Sequence, residues 1–133
     1  MARLGDDGAR LSSVTIAPLG LRTVIYPSPD LAAAKAWWTR FLGRDPDFDE
    51  PFYVGFNVGG YELGLLPNAA LSEGALTYWG VEDVPAAVAA AIAAGAVEHA
   101  PVADVGDGIV TATVSTPVGT IVGFICNPHF ATT

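Results

Sequence analysis

The sequence predicts an α+β fold built from two tandem modules, each a strand, a helix and then further strands. Two observations carry this. Val24 to Ala34 (VIYPSPDLAAA) and, further along, Thr77 to Ala87 (TYWGVEDVPAA) share one grammar: an apolar strand, an acidic turn and the start of an Ala-rich helix. After each helix, apolar residues alternate with polar or small ones, the period of a strand with two different faces. A unit used twice implies a pseudo-symmetric architecture with a pocket where the halves meet.

The elements follow in order. Leu21 to Pro27 is β-branched and aromatic and is halted by Pro27 and Pro29, which reads as a strand. Asp30 can cap the helix that follows, where Leu31, Ala34, Trp38, Phe41 and Leu42 recur at helical spacing before Gly43, predicting one buried face. Arg44 to Pro51 is turn-rich with room for a short edge strand. Phe52, Val54, Phe56 and Val58 then alternate with Tyr53, Gly55 and Asn57, and Gly59-Gly60 turns the chain into a strand over Tyr61 to Leu66. The second module repeats this order. Leu76 to Val81 is a strand, Asp83 a cap, Pro85 an early helical residue, and Val84 to Ala94 a helix ended by Gly95. Three strands follow over Val97 to Asp104, Gly108 to Ser115 and Thr120 to Cys126. The expected organisation is a flexible leader over 1–20, one domain over 21–128 (module one 21–66, linker 67–74, module two 75–128) and a tail over 129–133.

Composition narrows the function classes. A formal net charge of −8 from 6 basic and 14 acidic residues argues against nucleic acid and anionic membranes as partners. The single Cys126 allows no intrachain disulfide and no paired-cysteine zinc pattern, which fits a reducing, cytoplasmic address. No apolar run approaches the roughly 20 residues of a spanning helix, and Met1 to Pro18 lacks the apolar stretch of a signal peptide.

The order of strand, Asp30-Leu31, a helix ending Phe41-Leu42-Gly43 and paired strands, repeated and closed by a strand with Pro117-x-Gly119-x-x-x-x-Phe124, resembles the vicinal oxygen chelate superfamily, which includes glyoxalase I and bleomycin resistance proteins. The resemblance spans about Leu21 to Pro128. It implies βαβββ modules curling into a half-open cup with the helices outside, commonly within a homodimer. It also implies where a metal would bind: one ligand on the first strand and one on a late strand of each module, usually His or Glu. Those positions fall on Thr23, Glu62, Leu76 and, four residues after Gly119, Gly123. Only Glu62 is a donor of that kind, whereas a transition metal generally needs three or four. No metal and no cofactor are therefore expected. His99, near a strand start, and His129, after the last strand, stand off the pocket face by this register, and Cys126 points toward the helix layer.

With Glu62 as anchor, period two turns Thr23, Ile25, Tyr53, Asn57, Glu62, Leu76, Tyr78, Thr111, Thr113 and Ile121 to the pocket, with Gly55, Gly64, Gly80 and Gly123 making room. Trp38 and Trp79 are expected in the core, and Trp37, one step off the buried helix face, at the cup rim or a dimer seam. A carboxylate among apolar groups must be neutralised, paired or hydrogen-bonded, and Tyr53, Tyr78 and Asn57 are the candidate partners of Glu62. Three readings stand: a metal-free protein binding an apolar or cationic small molecule; an enzyme of glyoxalase, dioxygenase or isomerase type using Glu62 as catalytic base or metal ligand; and an interaction dimer whose pocket is filled by its own side chains.

Overall fold

The structure is a computed structural model that describes residues 17–131. It is α+β, with strands β1 (Gly20–Pro27), β2 (Phe48–Glu50), β3 (Tyr53–Val58), β4 (Tyr61–Leu66), β5 (Leu76–Gly80), β6 (Val97–Gly106), β7 (Ile109–Ser115) and β8 (Ile121–Cys126). Helix α1 (Leu31–Leu42) follows β1, helix α2 (Val84–Ala93) follows β5, and a 3-10 turn over Leu71–Glu73 lies in the linker. Each module is therefore βαβββ. Most of the leader expected over 1–20 lies outside the described residues, and Gly20 already opens β1.

Two compact units divide the chain within β5, one holding Leu21–Tyr78 with residues 128–131 and the other Trp79–Asn127 with residues 17–20. In the first unit the hydrogen-bonded order is β2-β3-β4-β1, with the start of β5 beside β1. In the second, β5 is followed by β8, β7 and β6. The parallel pair β1·β4 and the antiparallel hairpin β3·β4 fix the first register, setting Thr23 opposite Glu62, Asn57 opposite Glu62 and Gly55 opposite Gly64.

Local chemistry starts both helices alike. Asp30 accepts a hydrogen bond from Ala33 N and Asp83 one from Ala86 N, each satisfying a donor that the first helical turn leaves unpaired. Gly43, left-handed at φ 73°, ends α1. At the exit from α1, Arg44 pairs with Asp47 and reaches the Asn57 carbonyl. The backbone N–H of Asn57 and, after it, Arg44 hold the Asp47 carboxyl below the ordinary carboxylate range.

The first core joins Val54, Phe56, Leu63 and Leu65 to Val24 and to Leu31, Ala34, Trp38 and Leu42 of α1. The second joins Val81, Val84, Ala87, Ala96, Ala112, Val114 and Phe124, with Cys126 packed against it as expected. Two expected core residues are not in either. Phe41 is 68% exposed because it stands about 60° round the helix from Trp38, and it stacks on Trp37 at the stripe's edge. Trp79 is 38% exposed. Its counterpart in the first module, Tyr26, stacks on Trp38 at 5.7 Å, but the repeat places Ala91 where Trp38 stands, so α2 offers Trp79 no ring. The tail is anchored: Phe130 packs on Tyr61, and the Arg22 guanidinium lies 3.8 Å from its ring centre.

Phe56 is fully buried, so Phe56→Ala should cost about 3–5 kcal/mol, whereas Trp79→Ala should cost about 1 kcal/mol or less. Urea unfolding of both variants, read at unchanged slope, measures the contrast.

Candidate functional site

Helix α1 covers one face of the first unit's strands, and alternation sends Thr23, Tyr53, Gly55, Glu62 and Gly64 to the other, helix-free face. The parallel register sets Thr23 beside Glu62, and its hydroxyl donates to Glu62 Oε1 at 3.2 Å. Tyr53 OH donates to Oε2 at 3.0 Å. Thr23 is buried, while Tyr53, Glu62 and Tyr78 are half-buried. The carboxylate is thus held at both oxygens, and each oxygen keeps a further lone-pair direction.

Two glycines make this arrangement possible. A Cβ on Gly64 would fall 2.6 Å from Tyr53 Cζ, and one on Gly55 would stand 3.1 Å from Glu62 Oε2. The room expected above these glycines is filled by the protein's own phenol and carboxylate.

Electrostatics follow from that packing. Burial, then the Glu62 charge, then the hydrogen bond given to Glu62 push the Tyr53 phenol well above the ordinary tyrosine range. Burial, then the same charge, raise Tyr78. Each oxyanion would have to form in a partly desolvated place beside a carboxylate.

The structure therefore brings together Thr23, Tyr53, Glu62 and Tyr78 of the expected ligand residues. Ile25 lies on the same face of β1, opposite Gly64, and Leu76 two residues before Tyr78 on β5. Asn57 is committed elsewhere: its side-chain oxygen accepts from Gly60 N and shapes the hairpin. Trp37 sits in the helix layer, 48% exposed, on the far side of the strands from Glu62. An open trough of ≈ 470 Å³, lined by Ala32, Lys35, Ala36, Thr39, Arg40 and Asp45, also lies on α1 and includes none of these residues.

In the second unit, Thr111 and Thr113 face away from the α2 core, and Ile121 pairs with Ser115. His99 is the residue that sequence spacing placed wrongly. A register shift between Glu98 and Ala100 makes it the extra residue of a bulge, and its Nδ1 shares a 2.8 Å hydrogen bond with the buried Thr113 hydroxyl. Pro101 was the available signal, since a proline inside a strand marks an edge or a bulge.

The modules also align differently from the motif spacing. Ser28 N donates to Leu66 O at 2.8 Å, and its repeat Val81 N donates to Ile125 O at 2.9 Å. Counting back, Glu62 matches Ile121 and Gly64 matches Gly123. The position expected to mirror Glu62 thus moves from Gly123 to Ile121, and neither residue offers a donor. Thr23 and Tyr53 already occupy the Glu62 oxygens, Leu76 cannot ligate, and no cluster of three or more His, Cys, Asp or Glu exists among the described residues. The donor set does not fit a transition metal.

No family model matches the sequence, and no curated protein matches it. Solved structures do. A glyoxalase/bleomycin resistance protein/dioxygenase superfamily member from Vibrio splendidus 12B01 superposes with TM-score 0.59 at 18% identity, covering 80% of this chain and 99% of that one. The chain has the vicinal oxygen chelate fold. The Streptomyces coelicolor methylmalonyl-CoA epimerase, in complex with 2-nitronate-propionyl-CoA, gives TM-score 0.65 at 15% identity, over 88% of this chain and all of that one. A Mn(II)-bound glyoxalase from Novosphingobium aromaticivorans gives 0.65 at 17%, covering 84% of this chain and 40% of the other.

Because Tyr53 and Tyr78 hold their protons beyond the range of an unfolded tyrosine (about 10), their contribution to stability is complete below that pH and is lost as pH climbs toward their folded values. Thermal unfolding between pH 8 and pH 11.5 should show a plateau and then a decline. Glu62→Gln should make the decline shallower, because it removes one of the causes while burial remains.

Proposed function

We propose that this chain is a metal-free small-molecule-binding protein whose ligand, an organic cation or an apolar ring, docks on the helix-free face of the first module beside Glu62. The observation that carries this is the carboxylate held by Thr23 and Tyr53 beside the Tyr53 ring, with the Tyr78 phenol near enough to feel its charge. A fixed carboxylate beside aromatic rings attracts an organic cation through charge and ring faces together. The chain's net charge of −8 favours the same ligand sign.

The competing reading makes Glu62 a general base in an enzyme of glyoxalase, dioxygenase or isomerase type, as the epimerase and glyoxalase among the structural neighbours suggest. Both Glu62 oxygens already accept protein hydroxyls. Binding a cation uses the fixed negative charge that these bonds hold in place, whereas proton transfer further needs a substrate proton brought onto one of the lone-pair directions still free. Binding is therefore the simpler use of the geometry.

No helix among the described residues is long and apolar enough to cross a membrane. A cytoplasmic location and a homodimer complete the proposal, the dimer supported by the exposed Trp37 and Phe41 rings on α1.

Calorimetric titration with benzamidine and its uncharged analogue benzamide tests the site. Glu62→Gln should weaken benzamidine about tenfold or more and benzamide less than about threefold, since the change removes charge with little change in volume. Added chelator should alter neither value, and equal losses for both probes would remove Glu62 as counter-ion. Sedimentation velocity should show a dimer, and Trp37→Ala combined with Phe41→Ala should shift it toward monomer; a monomeric wild type refutes the association.

A further inference from the structure

Tyr53 does more than hold Glu62. Its ring lies across Gly64, where a Cβ would stand 2.6 Å from Cζ and 3.0 Å from Cε1, and a Cβ on Gly55 would stand 3.4 Å from Cε2 at its other edge. A planar six-membered ring therefore already occupies the side-chain-free floor that Gly55 and Gly64 make beside the carboxylate, with its donor on Oε2 at 3.0 Å. The ring is attached at the first residue of β3, directly after the exposed Pro51 and Phe52. It is half-buried, with the Phe48 ring 6.2 Å away, whereas Val54 and Phe56 on the opposite face are fully buried.

We propose that Tyr53 acts as a built-in competing ligand: its phenol fills the Gly55–Gly64 floor in the free protein and swings out when a small molecule brings its own planar, donor-bearing ring to Glu62. The ligand class follows from what the floor already accepts. It is a flat aromatic ring with an N–H or O–H donor at one end, an aryl amidine, amine or alcohol, and not a branched aliphatic amine of equal charge. Tyr53 is then the residue that sets specificity and the fraction of protein competent to bind, because a site occupied by its own side chain binds more weakly by the fraction that is open. Gly64 has the complementary role, since any side chain there collides with the ring whichever molecule supplies it.

This inference rests on the proposed site, and the test separates the two. Benzamidine, phenol and tert-butylamine are titrated into the wild type, Tyr53→Phe and Tyr53→Ala, with circular dichroism confirming that each variant is folded. Tyr53→Phe, which keeps the ring but loses its tie to Glu62, should bind benzamidine several-fold more tightly than wild type. Tyr53→Ala should bind it at least tenfold more tightly and gain measurable affinity for phenol, with tert-butylamine changed less than about threefold. In wild type labelled with 3-fluorotyrosine, benzamidine should move the Tyr53 fluorine resonance, identified by its absence in Tyr53→Phe. Unchanged or weaker benzamidine binding in both folded variants overturns the exchange, as does a motionless Tyr53 resonance at saturation. If Tyr53→Ala gains affinity and Glu62→Gln in that background costs nothing, ring exchange stands while the counter-ion role of Glu62 falls.

Discussion

A carboxylate that is half removed from water must have donors, and in this chain two strand registers supply them. The parallel pairing of β1 with β4 brings the Thr23 hydroxyl to one oxygen of Glu62, and the β3·β4 hairpin lets Tyr53 reach back to the other. The reach is possible only because Gly55 and Gly64 stand opposite each other in that hairpin. Glycine inside a strand costs roughly 0.5–1 kcal/mol each in lost conformational freedom, while a hydrogen bond to a charged group contributes roughly 1.5–3 kcal/mol and an unpaired buried acceptor costs about as much. The cost of the two glycines is therefore of the same size as the gain from the one bond they permit, Tyr53 to Glu62, together with the acceptor desolvation that it relieves.

The same backbone unit serves different chemistry in its two copies. Matched through the caps and the Ser28–Leu66 and Val81–Ile125 hydrogen bonds, Thr23 corresponds to Leu76, Tyr53 to Thr111 and Glu62 to Ile121. The helix layer diverges as well, with Trp38 in one copy and Ala91 in the other. What is preserved is what the fold needs: an Asp at the helix start, a small residue where strands pair closely and an apolar stripe under the helix. What changes is the helix-free face, where side chains are released from packing and can take up binding.

That division explains what was readable from sequence. Caps, turn glycines and period-two alternation are local signals, and they placed both helices, all the strands and the partnership of Glu62 with Tyr53. The misplacements arose where a contact depends on a distant side chain or on one extra residue. Phe41 and Trp79 are apolar and lie close to the right spacing, but burial requires a facing surface that a helix angle and an alanine fail to provide. His99 turned because a single bulge residue reverses alternation, which no count of twos can foresee without weighing Pro101. The repeat partner of Glu62 lies two residues before the position counted from Gly119, and backbone hydrogen bonds reveal that.

Sharing a fold at 15–18% identity leaves the chemistry to the side chains. The resemblance implies donors from four strand positions, and here three of them carry the Thr23 hydroxyl and the aliphatic side chains of Leu76 and Ile121. The remaining donor is not idle: its oxygens are engaged by protein hydroxyls, and the floor beside it is filled by a ring of the chain itself. A carboxylate arranged in this way is already paired with an aromatic donor. In the proposed exchange, a molecule that displaces that donor has to restore both the hydrogen bond and the ring contact, so the protein's own packing sets the shape that the proposed site favours.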